Sequence, residues 1–224
     1  MSSVPPSSDL PPTKQPPTDL PPTELPPTEQ SSTELPPTEL PPTEFEVLRH
    51  HLLEHSVKRG DFVLKSGRRS SWFIDSKQTV CRPEAMVAVA EGVLSVIPPD
   101  VDGIGGLTMG ADPVAFVTAG VAATTGRMLK AFSVRKEAKD HGGGGRIAGA
   151  LDPGDRVVIT EDTVTRGTSL LEAAHAVIEA GGVPVLLVAV VDRGGTVEAM
   201  AAAEGLAFRA LLTAPDLGFG YEGG

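Results

Sequence analysis

Residues 157–169 read Val-Val-Ile-Thr-Glu-Asp-Thr-Val-Thr-Arg-Gly-Thr-Ser and hold the densest chemistry in the chain. An apolar strand runs into two adjacent acids, Glu161 and Asp162; a turn of hydroxyl residues around Gly167 follows, and a helix opens at Ser169. Two carboxylates at a strand end can accept hydrogen bonds from a vicinal diol. A turn of backbone N–H groups feeding a helix N-terminus is a ready anion site. Together these parts suit a phosphorylated sugar. An ordinary strand–turn–helix with a polar cap would not need Glu161 and Asp162 side by side.

Three further stretches carry chemistry. The loop 135–146, Arg-Lys-Glu-Ala-Lys-Asp-His-Gly-Gly-Gly-Gly-Arg, holds four cations and His141. Its glycine run costs ordering entropy, and the loop is longer than a plain connection needs. A mobile cationic loop suits a lid that closes over a polyanion and excludes water. Residues 60–75 place Lys65 in a Ser66-Gly67-Arg68-Arg69 turn and Trp72, Phe73 and Ile74 just after it. Lys65 offers a point charge for phosphate or carboxylate, Phe73 a flat apolar face for a planar base, and Trp72 reads as core. Arg193 follows a buried strand and can meet a carboxylate with a two-pronged hydrogen bond, although a surface salt bridge would use the same residue.

The 157–169 block resembles the phosphoribosyl-pyrophosphate motif of the type I phosphoribosyltransferases. Its two acids, Thr165, Gly167 and Thr168 fall in register. Arg-Lys-Glu-x-Lys-x-His-Gly at 135–142 is similar to the catalytic loop of orotate phosphoribosyltransferases in particular, and Leu-Lys-Ser-Gly-Arg at 64–68 to their N-terminal hairpin. The four motifs keep the family's chain order and cover about 45–224. The resemblance implies transfer of phosphoribosyl from phosphoribosyl pyrophosphate to orotate, giving orotidine 5′-monophosphate and pyrophosphate. Lys65, Arg135, Lys136, Lys139, His141, Glu161, Asp162, Thr163, Val164, Thr165, Arg166, Gly167, Thr168 and Ser169 would then bind phosphoribosyl pyrophosphate. Phe73, Ile74, Thr165 and Arg193 would bind orotate, and Lys139 and Asp162 would matter most for the chemical step. Mg²⁺ would arrive mainly through the pyrophosphate and water, with no direct protein ligand. A homodimer with shared active sites is also implied. Two departures stand out. Gly106 to Asp112 lacks the lysine that many family members carry there in a Tyr-Lys pair, and Arg166 occupies a place where a small residue is usual. The rival readings are a nucleotide-binding regulator on the same fold and a purine or xanthine phosphoribosyltransferase.

The elements that must position these residues alternate. Thr43 and Glu46 form a capping box for a first helix that should end near Gly60. Short strands are expected at 62–64 and 72–74, and a helix from Pro83. A strand follows at 102–107, then a helix with Asp112 as N-cap and Pro113 at its first position. Strands at 129–134, 156–160, 185–191 and 207–212 alternate with helices at 169–180 and 196–204. The fold class is therefore α/β: a mostly parallel sheet flanked by helices, with a small N-terminal hood. Ligands of such sheets bind at the carboxyl ends of the strands.

Residues 1–44 are of another kind. Four copies of Leu-Pro-Pro-Thr-Glu occur at 20–24, 25–29, 35–39 and 40–44. Paired prolines fix φ and remove donors, so the segment reads as an extended, disordered tail without a core. The tail has one lysine against seven acids, and so carries −6 of the formal −10. The acidic balance argues against a nucleic-acid surface. Cys81 is the only cysteine, which excludes an intramolecular disulfide. The start lacks the regions of a signal peptide, and no apolar run reaches the roughly 18–20 residues of a membrane helix. A cytoplasmic enzyme with no membrane partner is expected, its domain spanning 45–224.

Overall fold

The structure, a computed structural model, describes residues 45–63, 67, 69–138 and 145–223. The tail, Lys65, Arg68, Lys139 and His141 lie outside the described residues.

The chain order is α1 Glu46–His51, a π-helical turn Leu52–Ser56, β1 Val57–Val63, β2 Arg69–Ile74, α2 Lys77–Val80, α3 Pro83–Val96, β3 Gly103–Leu107 and α4 Ala111–Thr124. Then come β4 Lys130–Val134, β5 Ile147–Gly149, β6 Arg156–Val164, α5 Thr168–Glu179, β7 Val183–Asp192, α6 Val197–Ala203, β8 Ala207–Thr213 and a 3₁₀ turn Pro215–Leu217. β1 and β2 form an antiparallel hairpin, the hood. The other six strands form one sheet in the order β5-β4-β3-β6-β7-β8, parallel except for β5.

Strand alternation divides the core. Ile104, Val158, Val188 and Val190 pack with Val89, Val93 and Val114 from α3 and α4. Val157, Ile159, Leu187 and Ala189 face the other way, onto Leu170, Ala173 and Val177 of α5 and Val197 of α6. β7 is thus covered on both faces, which explains its unbroken apolar run. The hood joins the first cluster through Trp72 and Ile74. The Trp72 ring lies parallel to Phe219 at 4.3 Å between centroids.

Several expectations need correction. The first helix has Phe45 at its N-cap, and Glu46 pairs with Arg49 and His50; Thr43, the other half of the expected capping box, lies outside the described residues. Helical structure stops at Ser56, because Val57 already pairs with Ile74 in the hairpin. Asp112 is not an N-cap. It lies in the first turn of α4, where its carboxylate accepts from Thr108 Oγ1 at 2.6 Å and Ser133 Oγ at 2.7 Å. β5 was not expected. β6 runs four residues past Thr160, so Glu161 and Asp162 belong to the strand itself.

The sheet's switch point follows from its order. From β3 the chain moves to β4 on one side, and later to β6 on the other. β3 pairs with β6 only as far as Gly105 and Ile159, whereas β6 stays paired with β7 out to Val164 and Asp192. Beyond Ile159 the two central strands part, and a crevice opens at their carboxyl ends.

Candidate active site

The crevice is lined by the end of β6 on one side and the turn Thr108–Gly110 on the other. Gly110 is required there. A Cβ on it would stand 1.9 Å from Glu161 Oε1 and 2.6 Å from Asp162 Oδ1, closer than any real contact. Both carboxyls are buried, at 6% and 4% exposure. Asp162 Oδ2 accepts from Lys77 Nζ at 2.7 Å and Ser76 Oγ at 2.8 Å, and Oδ1 accepts from the Thr163 N–H at 2.8 Å. Glu161 Oε1 accepts from the Asp162 N–H at 3.1 Å.

Two neighbouring buried acids cannot both ionise cheaply. Burial, then the charge of Asp162, raise Glu161 to about 8. Burial pushes Asp162 up as well, but hydrogen bonds from Lys77 and Glu161 and the Lys77 charge hold it below the usual carboxylate range. At neutral pH the pair is one anion and one acid.

The chain then turns at Thr165–Gly167 into α5. Gly167 takes φ 73°, a left-handed conformation suited to glycine, and among the described residues no side chain caps the helix. The N–H groups of this first turn are left for a ligand. The Thr163 hydroxyl is buried and has no partner among the described residues. Thr163–Ser169 line a cavity of about 810 Å³, closed on the other side by Phe62, Phe73, Arg193 and Glu222.

Alternation along β2 decides which hood residues face this cavity. Phe73 does, tilted against Phe62, while Trp72 and Ile74 point into the core. The expected Ile74 contact with a base cannot come from its side chain; only its main chain is on the right strand. Val164 is likewise 2% exposed, which leaves its main chain to meet a ligand. Arg193 reaches the cavity already engaged. Nη2 donates to Glu222, to Ser70 Oγ at 3.2 Å and to the Trp72 carbonyl at 3.0 Å, while Nε is buried and has no partner among the described residues. Arg166 is exposed at the cavity edge.

Arg135 follows β4, hydrogen-bonded through its backbone to Arg146, and Lys136 is exposed beyond it. The Thr108 N–H donates to the Val134 carbonyl, so the start of the cationic loop adjoins the Thr108–Gly110 turn. Sequence reasoning missed Ser76, Lys77 and Glu222. They reach the site across 86, 85 and 29 positions of sequence, too far for any local pattern to reveal.

Carboxyls at the diverging strand, an uncapped helix start behind them and a base-sized cavity under the hood put the protein in the class of type I phosphoribosyltransferases. No family model matches the chain. It is 38% identical over 172 residues to an orotate phosphoribosyltransferase of Nostoc, covering 76% of this chain and 84% of the relative. A crystal structure of a phosphoribosyltransferase from Corynebacterium diphtheriae superposes with TM-score 0.69 at 35% identity, covering 78% of this chain and 98% of that one. The Mycobacterium tuberculosis orotate phosphoribosyltransferase in complex with 5-phospho-α-D-ribosyl 1-diphosphate superposes with TM-score 0.65 at 35% identity, over 77% and 97%. The chain belongs to the orotate phosphoribosyltransferase family.

Proposed function

We propose that the cavity takes orotate against Phe73 and Arg193, and phosphoribosyl pyrophosphate between the acid pair and the start of α5, for transfer of the phosphoribosyl group to orotate. The carrying observation is that one cavity joins the uncapped start of α5 to Phe73 and Arg193, and that the strand bearing the buried acid pair runs directly into its wall at Thr163 and Val164.

In the reaction the bond from the anomeric carbon to the pyrophosphate oxygen breaks, and a bond from that carbon to orotate N1 forms. Pyrophosphate leaves with the electron pair, and the N1 proton passes to water or to the departing pyrophosphate. Asp162 and Glu161 accept from and donate to the ribose hydroxyls, which orients the anomeric carbon. The N–H groups opening α5, with the Thr163, Thr165, Thr168 and Ser169 hydroxyls and the main chain of Val164 and Gly167, hold the 5′-phosphate; Arg166 adds a cation at the rim. Lys65, Arg135, Lys136, Lys139 and His141 neutralise the leaving pyrophosphate, with Lys139 making its contact chiefly in the transition state. Phe73 stacks on the pyrimidine, and Arg193 meets its carboxylate.

The donor set also suits Mg²⁺ that comes with its ligand. Among the described residues no three His, Cys, Asp or Glu gather, and one Asp162 oxygen is already taken by Lys77 and Ser76. Such an ion keeps most of its waters and supplies charge neutralisation at the pyrophosphate.

Residues 45–224 form the catalytic domain and 1–44 an appended tail. The protein acts as a cytoplasmic homodimer whose cationic loop serves the neighbouring site. Among the described residues no helix is long and apolar enough to cross a membrane.

The test is a mixture of the protein, orotate, phosphoribosyl pyrophosphate and Mg²⁺ followed by orotate absorbance. Absorbance should fall as orotidine 5′-monophosphate forms. No change with orotate, together with turnover of a purine base, would overturn the assignment.

A further inference from the structure

The Thr108–Gly110 turn contains no cation, yet it faces two buried carboxyls that must admit a polyanion. The cation near it comes from elsewhere in the chain. Ser76 follows β2 and Lys77 opens α2, and both donate to the same oxygen of Asp162, at 2.8 and 2.7 Å. The other Asp162 oxygen lies against Gly110 and accepts from the Thr163 N–H. Lys77 is partly exposed, at 44% of its side chain, while Asp162 is almost fully covered, at 6%.

We propose that Lys77 is a positioning residue for phosphoribosyl transfer: with Ser76 it holds one oxygen of Asp162, aims the other into the crevice beside Gly110, and keeps that carboxylate anionic next to a second buried acid. The proposal rests on the reading that Asp162 meets the ribose. Its physical need is clear from charge. An unpaired Asp162 beside Glu161 would either present two negative charges to phosphoribosyl pyrophosphate or take up a proton and lose its strength as an acceptor. The groups that set this balance are Lys77, Asp75, Glu161 and Asp162. Lys77 itself stays charged. Burial pulls it down, but the Asp162 hydrogen bond and the charges of Asp162, Glu161 and Asp75 raise it above its ordinary value. The link also couples two subsites, because Phe73 on β2 lies four residues before Lys77.

The test compares Lys77→Met, Lys77→Arg and Ser76→Ala with the unaltered full chain. Binding of phosphoribosyl pyrophosphate with Mg²⁺ is measured by calorimetry without orotate, and steady-state turnover is measured across pH. Lys77→Met should weaken binding about tenfold or more, the scale of a charged hydrogen bond. It should also move the acid limb of kcat/KM for phosphoribosyl pyrophosphate up by roughly one pH unit. Lys77→Arg should restore most of both, and Ser76→Ala should weaken binding without moving the limb. Should Lys77→Met fail to fold, the Lys77→Arg and Ser76→Ala contrast decides the matter through the same readouts. Unchanged affinity and an unchanged acid limb in the Met variant, or in its absence a Ser76→Ala variant that binds as the parent does or a Lys77→Arg variant that loses binding as fully as if the cation were missing, would refute the proposal. Loss of orotate turnover in the unaltered chain alone would instead sink the choice of base, and the calorimetric comparison would still judge Lys77.

Discussion

At pH 7 Glu161 carries a proton that Asp162, one residue along, has given up. The environment alone separates them: both are buried, but Lys77 reaches only Asp162. This has a stability consequence with a definite sign. A carboxyl whose folded pKa, about 8, lies above its ordinary 4.5 contributes stability that is complete below 4.5 and is lost as pH rises towards 8. Glu161→Gln removes that dependence. Its melting temperature should match the parent below pH 4.5 and exceed it at pH 8 by at least about 2–4 °C, the effect of roughly 1 kcal/mol in a domain of this size. Equal melting temperatures at pH 8 would show that Glu161 is ionised there at no cost. Asp162→Asn should keep the fold, since its partner Lys77 is partly exposed and can turn to water. It should reduce kcat/KM for phosphoribosyl pyrophosphate by about 100-fold or more, as expected when a charged acceptor at the ribose is lost. Equal kinetic constants, measured with orotate saturating, would remove Asp162 from the ribose site.

The elements matter because they fix a distance. Gly110 starts α4 where the acid pair ends its reach, and a methyl group there has no room. Gly110→Ala should push the two carboxyls aside and cut turnover on the order of 100-fold, the scale of a 1 Å misplacement in a reacting site. The far-ultraviolet spectrum should be retained, since Gly110 has φ −61° and ψ −44°, a conformation alanine adopts without strain. Near-normal turnover would mean that the turn moves and the acids do not. The same elements show what the sequence could reveal. β7, α3 and α5 were legible because burial on both sides leaves an unbroken apolar run, and burial on one side a helical period. The reach of β6 was not, since Glu161 and Asp162 break its apolar pattern while Glu161 still pairs with Ala189 and Thr163 with Val191 of β7. β5 has three residues, held by pairing with Phe132–Val134 rather than by its own composition. Within the site, the β6–α5 block was readable because its residues are consecutive. Lys77 and Glu222 were hidden because folding alone brings them in.

For the molecule as a whole, the acidic charge is concentrated where the chain lacks the means to build a core. Residues 1–44 carry −6 of the −10, and their apolar residues are isolated leucines and valine between prolines. Removing 1–40 should leave melting temperature and orotate turnover within error at matched protein concentration, while raising the isoelectric point. A fall in either would show that the tail docks on the domain. The other end of the chain invites the opposite treatment. Glu222 is tied to Arg193 and Ser70, its N–H donates to the Arg193 carbonyl at 3.0 Å, and Tyr221 packs on Gly195. Whoever purifies this protein should therefore put the affinity handle ahead of the prolines. A histidine tag fused beyond Glu222 would hang from the rim of the Phe73–Arg193 cavity, and a bead or sensor surface holding it would be holding that cavity's own doorframe.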